Sequence, residues 1–581
     1  MSLASFRRRA IASAASFICV SLFATAAAAQ SEAITVFTAK SVITMDDSLP
    51  RADAVAVSDG RIVAVGTLDS MRPWLEARPH SVDDVFADKY MLPGLIDNHL
   101  HPPLAGLLLN THWITPHEWN LPGWKVEHVR GHDRYLSVLR AAVRASDRSK
   151  PFITWGFHEI WHGQVGRQEL DDIAPEQPLI VWQRSFHEVI TNTPGLRWLG
   201  VDPDAPSPHH EVDLQRGSFS EQGLVQFAAK PLAAYLLAPD RLASAYARLV
   251  EIVHRGGITT IADMGAGGYF GFEKEVLLQK NVFGNDRVPF RVVIVPAVIH
   301  PAVDSSPAEI ALSFENYLQH STDKVRIDRH VKLLADGAFF AQYMRMNAPG
   351  YTDGHEGKWL TEPADLELLA RAFWQKGYQI HVHVNGDEGL DVVLDILDTL
   401  VDETPRRDHR FTLHHVGYST NDQLRRAATL GAAVSAQPYY LWALADAYAD
   451  TGLGYDRASQ MSRIGGMIRS GMAVSLHSDF TMAPAAPLTL AWVAVNRVTA
   501  NGTLMAPAER ISVYDSLRAV TIDAAFALRM EHEIGSIVAG KRADFTILEA
   551  DPLEVDPMEL KDVAIWGTVY EGRIFPVTAA D

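Results

Sequence analysis

The chain has 581 residues, of which 47% are hydrophobic and 21% are charged, with 39 Gly and 31 Pro. This globular composition excludes disorder, a collagen-like repeat and a coiled coil as descriptions of the whole chain. With 52 basic and 70 acidic residues the formal net charge is −18, and so acidic a protein disfavours nucleic acid as a partner.

The N-terminus has the pattern of a signal peptide. Arg7 to Arg9 form a basic segment, an apolar stretch of small residues follows, and residues 27–29 are three alanines. This order predicts a cleaved signal over residues 1–29, with a twin-arginine route also permitted and a membrane anchor as the alternative. We therefore expect a periplasmic or secreted product that does not associate with a membrane after cleavage. Cys19, the only cysteine, lies in this segment, so a mature protein would have no disulfide, no thiol nucleophile and no cysteine-bound zinc.

Strand-like patterns occur near both ends of the chain. Residues 33–44 and 52–66 alternate apolar and polar side chains, and short runs within 543–576 have the same character. Such alternation is typical of half-buried strands. We predict a small composite β-sandwich domain, formed by residues 30–90 together with residues 531–581.

The middle of the chain alternates strand-like apolar runs with amphipathic helical stretches. The apolar runs cover residues 179–183, 259–263, 290–295, 331–334, 379–384, 411–415, 432–437 and 473–477. Strand–helix alternation at this spacing predicts parallel βα units. The fold class that follows is α/β, a (β/α)8 TIM-like barrel over residues 91–530, with insertions near residues 102–130 and 200–240.

Two histidines follow the first apolar run of this middle region. His99 and His101 lie two residues apart in the motif MLPGLIDNHLHP. Residues at this spacing on a strand project to the same side, as two ligands of one metal ion must. A pair of hydrogen-bonded structural histidines is the alternative.

Further polar residues lie within or at the ends of the later apolar runs. They are Lys332, His381, His383, His414, His415 and Asp479. Taken singly, each has a structural explanation, such as an ion-paired lysine, a core histidine or a helix N-cap. Catalytic residues of a barrel collect at the carboxyl ends of its strands, so we expect these side chains to converge.

The order HxH, Lys, His, His, Asp resembles the amidohydrolase superfamily. The motifs LPGLIDNHLHP, GGITTIADMG, VKLLADG, HVHVNGD, SLHSD and IGSIVAGKRADFTILEADP are similar to those of its YtcJ-like, amidohydrolase-3 family, which includes N-substituted formamide deformylases. The resemblance extends over nearly the whole chain beyond residue 29. It implies a metal-bearing (β/α)8 barrel with a terminal β domain.

The resemblance also implies a set of metal ligands. They are His99, His101, Lys332, His383, His415 and Asp479. The metal would be divalent, with Zn²⁺ preferred, and two ions would bind if Lys332 is carboxylated, because its carbamate behaves as a carboxylate. His414 stands where relatives commonly carry Glu. Adjacent strand residues face opposite ways, so only one of His414 and His415 can face the metal, and the choice stays open.

These residue types suggest a hydrolytic mechanism. Zn²⁺ lowers the pKa of bound water from 15.7 to about 7, and the hydroxide attacks the substrate carbonyl. Asp479 would take the proton and return it to the leaving amine. His187, in the motif RSFHE, is the candidate that binds the carbonyl oxygen, with a structural loop histidine as the alternative.

Aromatic side chains after several predicted strands suggest an apolar substrate pocket. Trp113, His158, Tyr439 and Tyr440 are the substrate-binding candidates, because aromatic residues commonly line small-molecule sites. Packing in the core is the alternative for each of them.

The sequence thus predicts an exported, metal-dependent hydrolase that cleaves a non-peptide C–N bond in a small-molecule amide such as an N-acyl or N-formyl amine. The alternatives are an esterase, lactonase or deaminase that uses the same site, and a non-catalytic periplasmic protein that binds a metal or ligand. A homo-oligomer is compatible with the sequence.

Overall fold

The computed structural model describes residues 33–122, 124–299 and 305–577. The predicted signal over residues 1–29 lies outside these ranges. Within them, no helix combines the length and the apolarity that crossing a membrane requires. Helices and strands alternate along most of the chain, which confirms the mixed α/β class.

Two parallel sheets form the centre of the molecule. The first contains Leu95–Leu100, Ile258–Ala266, Arg291–Pro296 and Val325–Ile327. The second contains His330–Leu334, Gln379–Val384, Thr412–His415, Ala433–Ala436 and Val474–Leu476. Nearly all residues of these strands are buried, as expected of parallel strands that are covered on both faces.

The two sheets adjoin at two places. At one, Ala297 and Lys332 form a parallel bridge. At the other, the backbone N–H of Asp479 donates to the His99 carbonyl at 2.8 Å, and the N–H of His101 donates to the Phe480 carbonyl at 3.2 Å. These contacts bring the carboxyl ends of strands from both sheets to one end of the molecule.

The run at residues 179–183 belongs to a separate sheet of six strands. Its members are His112–Trp113, Phe152–Phe157, Leu179–Gln183, Glu188–Thr191, Val212–Asp213 and Ser218–Ser220. We expected this run among the parallel strands of the barrel, and that expectation is wrong. Leu179 to Trp182 are as buried as the strands of the centre, so apolarity alone does not distinguish the two sheets. In the chain between His112–Trp113 and Phe152–Phe157, the strands Trp119–Leu121 and Trp124–Val126 pair antiparallel.

Strands from both ends of the chain share one seven-stranded sheet. In spatial order they are Arg573–Pro576, Ile565–Tyr570, Phe545–Leu548, His80–Pro93, Ile34–Ile43, Arg51–Ser58 and Arg61–Gly66. The antiparallel pairing of Phe545–Leu548 with His80–Pro93 joins the two ends. All seven strands belong to a single sheet, and a sandwich of two sheets stays a prediction.

Helices connect and cover the sheets. Those of seven or more residues are Leu68–Leu75, Pro102–Leu108, His132–Ala145, Arg167–Ile173, Ala229–Leu236, Pro239–Arg255, Phe272–Phe283, Pro307–Glu315, Pro363–Gln375, Asp387–Glu403, Asn421–Thr429, Tyr439–Asp450, Pro487–Asn496 and Val513–Ala519. The shorter ones are Glu159–His162, Thr193–Trp198, Glu221–Gly223, Tyr455–Ser459, Ile464–Arg469 and Ile522–Ala527. Short 3₁₀ turns cover Asn316–His320, Phe339–Ala341, Pro507–Glu509 and Pro557–Asp562, and a π-helical turn covers Leu224–Ala228.

A buried ionic network joins the terminal sheet to the parallel strands. Arg291, which is fully buried, forms ion pairs with Asp544 and Glu571. Arg542 also contacts Glu571 and bonds Glu533 at 3.0 Å. Each of these guanidinium groups therefore has a carboxylate partner, which buried charges require.

Candidate metal centre

Two histidines and a carboxylate meet where strands of both parallel sheets end. His99 Nε2 lies 3.6 Å from Asp479 Oδ1, and His101 Nε2 lies 3.0 Å from the same oxygen. One ligand atom from each of these three residues lies within 4.8 Å of the other two. Two imidazole nitrogens and a carboxylate oxygen are a donor set that suits Zn²⁺ and similar divalent ions.

His415 and His383 extend this group. His415 Nδ1 is 3.9 Å from Asp479 Oδ2, and the His383 and His415 rings are 4.6 Å apart. His415 has φ 73° and Asp479 has φ 52°, a left-handed conformation that is costly for residues other than glycine. Such strain persists where the surrounding structure holds a side chain in place, and it is frequent at functional sites.

Lys332 lies among these groups and lines the same site. Its side chain is buried, and within the part of the chain that the structure describes Nζ contacts no acceptor. Burial lowers the pKa of Lys332 well below its usual value, although the nearby Asp479 carboxylate opposes the effect. A neutral, unsatisfied amine is costly to bury, and it is the form of lysine that can react with CO₂. The residues present thus fit a metal centre that would be completed by a bound metal ion and by CO₂ added to Lys332.

The side chains of His414 and His415 point to different sides of their strand. His415 faces Asp479, whereas His414 Nδ1 lies 2.8 Å from the Nδ1 atom of His99, on the side of that ring away from Asp479. Neighbouring residues of a strand point in opposite directions, which accounts for this division. Of the two, His415 is the one positioned to share a metal ion with Asp479.

His477 is a further histidine at the centre that sequence analysis did not select. Its Nε2 atom lies 3.2 Å from Nδ1 of His415, and its Nδ1 atom lies 2.8 Å from the Ser435 hydroxyl oxygen. The motif SLHSD contained the signal, because His477 precedes Asp479 by two residues at the end of the same strand.

A cavity of about 210 Å³ opens onto the centre. Besides the candidate ligands, aromatic and apolar side chains form most of its wall, among them Leu104, Phe186, Tyr269, Ile299, Phe339, Phe340, Tyr440 and Met482. Most of these were not predicted from the sequence. Phe339 and Phe340 follow the Lys332 strand in VKLLADGAFF, but a strand end alone does not show which loop residues turn inward.

His187 also lines the cavity. Its Nδ1 atom lies 3.0 Å from Oε2 of Glu221. A carboxylate accepts a hydrogen bond from a ring N–H, so Glu221 fixes the orientation of the imidazole. The position of His187 is compatible with its predicted contact with a substrate carbonyl.

Of the four predicted substrate-binding residues, the structure brings Tyr440 alone to this cavity. Its hydroxyl lies 3.4 Å from Nδ1 of His415. Trp113 packs against Trp155 with ring centroids 4.6 Å apart, and neither lines the cavity.

His158 and Tyr439 also lie outside the cavity wall. His158 Nε2 is bonded to the Phe340 carbonyl at 2.9 Å, and the Tyr439 ring packs on Trp442. Trp113 belongs to one strand of the six-stranded sheet and His158 follows another, and neither residue lines the cavity. For Trp113, His158 and Tyr439 the arrangement corresponds to the core-packing alternative.

Comparisons with known proteins identify the family. A model described as "Amidohydrolase family" matches residues 87–576. The chain is 27% identical to Protein LONG AFTER FAR-RED 3 of Arabidopsis thaliana, covering 88% of this chain and 86% of that protein. It is 24% identical to the putative amidohydrolase YtcJ of Bacillus subtilis, covering 92% and 97%, and 26% identical to N-substituted formamide deformylase of Arthrobacter pascens, covering 91% and 96%.

Among solved structures, an uncharacterized metal-dependent hydrolase from Pyrococcus horikoshii matches with a TM-score of 0.67 and 18% identity, over 90% of this chain and 99% of that one. This likeness concerns the fold. The family match confirms the predicted resemblance and, with it, a hydrolase that acts on C–N bonds. The chain belongs to the amidohydrolase family, and its relatives place it in the YtcJ-like branch.

Proposed function

We propose that the chain is an exported, metal-dependent amidohydrolase that cleaves the C–N bond of an N-acyl or N-formyl amine, with an apolar or aromatic group on one side of that bond. The observation that carries this proposal is the convergence of His99, His101, His415 and Asp479 on one apolar cavity, which also contains the Lys332 amine. Among the residues that the structure describes, this amine has no hydrogen-bond partner. An aromatic wall suits an aryl or acyl group.

The metal proposed for the centre is Zn²⁺. The residues that would hold it are His99, His101, His383, His415 and Asp479. Lys332, as a carbamate, would supply an oxygen ligand for a second ion. When bound, a divalent ion supplies a Lewis acid that polarises a carbonyl and lowers the pKa of water to about 7.

The side chains of the cavity account for the proton transfers and for substrate orientation. Asp479 lies at the meeting point of the candidate ligands, where its carboxylate accepts the proton of the attacking water and donates it to the leaving amine. His187 is oriented by Glu221. In its imidazolium form it carries an N–H on both ring nitrogens, so that Nε2 donates a hydrogen bond to the carbonyl oxygen as negative charge develops there. The aromatic wall excludes other water molecules from the reacting bond.

The fold supports the same proposal in finer detail. We propose that eight of the nine strands of the two parallel sheets close into a (β/α)8 barrel, and that Val325–Ile327 lies outside it. The two sheets would join through the Ala297–Lys332 bridge on one side and through the backbone bonds of Asp479 and His101 on the other. In such barrels active sites lie at the carboxyl ends of the strands. This is the end at which His99, Lys332 and Asp479 are found.

A mass-spectrometric turnover screen of zinc-loaded protein tests the proposal. The panel contains N-formyl and N-acyl arylamines, acylated amino acids and cyclic amides, with an ester or lactone matched to each. We expect amide hydrolysis that Asp479→Asn lowers by about 10²–10⁴-fold and that Asp422→Asn, a change of an exposed carboxylate, leaves intact. Turnover of esters or lactones alone would contradict the amide assignment, and amide turnover that Asp479→Asn leaves nearly unchanged would contradict the mechanism.

A further inference from the structure

We propose that three histidines behind the metal centre, His414, His381 and His330, form a hydrogen-bonded relay that fixes the ring tautomer of His99 and thereby strengthens its binding to the metal ion. This inference rests on the metal centre of the proposed function. It assigns a positioning role to residues that do not reach the cavity.

The relay consists of three consecutive contacts between ring nitrogens. His99 Nδ1 lies 2.8 Å from His414 Nδ1, His414 Nε2 lies 2.9 Å from His381 Nδ1, and His381 Nε2 lies 2.9 Å from His330 Nδ1. All four side chains are buried, with at most 1% of each residue exposed. These distances are those of N–H···N hydrogen bonds, so each contact contains one proton.

The relay crosses the second parallel sheet from the carboxyl end of its strands towards the amino end. His414 lies near the end of Thr412–His415, His381 lies in the middle of the neighbouring strand Gln379–Val384, and His330 is the first residue of the next strand. The steps from His414 to His381 and from His381 to His330 each move to an adjacent strand, so the sheet itself holds the spacing of these three rings. The contact of His99 with His414 joins the first parallel sheet to the second.

Counting protons along the relay gives it a direction. Each neutral imidazole carries one N–H and one acceptor nitrogen. Rings buried this deeply remain neutral, because burial removes the hydration that stabilises a charge. His99 presents Nε2 to Asp479, so a metal ion there takes the Nε2 lone pair and leaves the proton on Nδ1. His414 must then accept at Nδ1 and donate from Nε2, and His381 must do the same towards His330.

A metal ion between these histidines is the competing interpretation. His99, His414 and His477 do offer three ligand atoms within 4.8 Å of one another. However, two nitrogens bound to one tetrahedral Zn²⁺ at about 2.0–2.1 Å lie roughly 3.3 Å apart, whereas the His99 and His414 nitrogens are 2.8 Å apart. His477, moreover, already contacts Ser435 and His415. The distances favour the hydrogen-bonded relay.

The consequence for the centre follows from the acceptor that the relay supplies. A histidine whose second nitrogen donates to an oriented acceptor is held in the correct tautomer and is a stronger ligand, and removal of that acceptor typically weakens metal binding by about 10–100-fold. Here the acceptor is a neutral imidazole. The relay therefore orders His99 without adding negative charge to a centre that already contains Asp479.

Zinc affinity measured by chelator competition tests the relay without any substrate. We expect His414→Leu to weaken zinc binding by about 10–100-fold. His414→Gln should bind zinc far more tightly than His414→Leu, because its side-chain amide offers an acceptor oxygen towards His99 and an NH₂ donor towards His381. His381→Leu and His381→Gln repeat the contrast one step away with a smaller effect, and thermal melting of all variants reports whether the fold is intact.

The matched control is His409→Gln. His409 is also buried, but its two nitrogens bond backbone groups of Phe411 and Leu430, so zinc affinity should not change. Equal affinities for the Leu and Gln variants at position 414 would overturn the relay. An additional zinc ion in the unmodified protein that His414→Leu loses would also overturn it in favour of a metal site. Failure of the turnover screen leaves these affinities measurable, so failure of the relay and failure of the proposed reaction are distinguishable.

Discussion

Two buried basic side chains on neighbouring strands have opposite surroundings. Arg291, at the junction with the terminal sheet, is 0% exposed and pairs with Asp544 and Glu571. Burial alone would lower its pKa, but the Asp544 carboxylate raises the pKa above its usual value. Lys332, at the metal centre, is 2% exposed and has no hydrogen-bond partner among the described residues, and burial lowers its pKa.

This difference distinguishes the region that holds the fold from the region that performs chemistry. At the junction, each buried guanidinium named above is paired with a carboxylate. The charges there are therefore balanced within the chain, without a bound ligand. At the centre, Lys332 Nζ and His101 Nδ1 are buried without a hydrogen-bond partner among the described residues. Groups with strongly perturbed pKa values in a cleft are typical of functional sites, and here they are the groups that a metal ion and a substrate would satisfy.

The largest expected effect comes from the carboxylate at the centre. Asp479→Asn keeps the shape of the side chain but removes its capacity to accept a proton, so we expect kcat to fall by about 10²–10⁴-fold. Steady-state kinetics on an amide from the screen measure this loss. Circular dichroism should show an unchanged fold, and a kcat within twofold of the unmodified enzyme would remove Asp479 from the mechanism.

The next largest effect concerns the junction. Arg291→Leu leaves the buried Asp544 without its partner, and breaking a buried pair in this way costs about 3–5 kcal/mol of folding free energy. Thermal and denaturant unfolding measure the change. The double variant Arg291→Leu with Asp544→Leu is the control, because it removes both charges and should recover part of the loss. A single variant as stable as the unmodified protein would refute the role of the pair.

His162 is a third buried basic residue, and its protonation makes the folding stability depend on pH. His162 accepts from the His158 N–H at Nδ1 and contacts the Val129 carbonyl at Nε2, and burial lowers its pKa from 6.5 to about 3. The unfolded chain therefore binds more protons between these values, so the stabilisation is present above pH 6.5 and is lost as pH falls towards 3.

The expected loss approaches about 1.4 kcal/mol per pH unit for one proton. Unfolding free energies at several pH values, compared between the unmodified protein and His162→Gln, isolate this contribution. The two curves should converge as pH falls. Curves that stay parallel from pH 6.5 to 4 would show that His162 does not titrate in this way.

The smallest effect on stability is expected at Lys332. It tests most directly the contrast between Lys332 and the paired Arg291. Lys332→Met replaces an unsatisfied amine with an apolar side chain of similar length, so stability should rise by about 1 kcal/mol while amide turnover is lost. Thermal melting and the turnover assay measure the two quantities. Destabilisation as large as that of Arg291→Leu would mean that Lys332 is paired after all.

The part of the centre that lies on strands was predictable from the sequence, because His99, His101 and Asp479 follow apolar runs whose ends must meet. The cavity wall was not. Phe339 and Phe340 lie on a short turn after the Lys332 strand, and the inward direction of a turn depends on packing that no periodicity records.

The six-stranded sheet was missed for a related reason. Its strand Leu179–Gln183 is as apolar as the central strands, so the sequence indicates a strand but not its sheet. The relay histidines show a further limit. The sequence analysis does not single out His330, and it expects His381 and His414 to converge with the other polar residues without predicting a contact between them. The connection of the three exists only because three adjacent strands are in the observed register.

The seven-stranded terminal sheet has a consequence for the order in which the molecule is completed. All the candidate metal ligands have been translated by residue 479, but the strand His80–Pro93 has an unpaired edge until Phe545–Leu548 leaves the ribosome. The hydrogen bond between Leu95 and Thr546 spans 451 positions of the chain, and contacts of such long range form slowly. The parallel strands can therefore assemble first, and the pairing of Phe545–Leu548 with His80–Pro93 then completes the seven-stranded sheet.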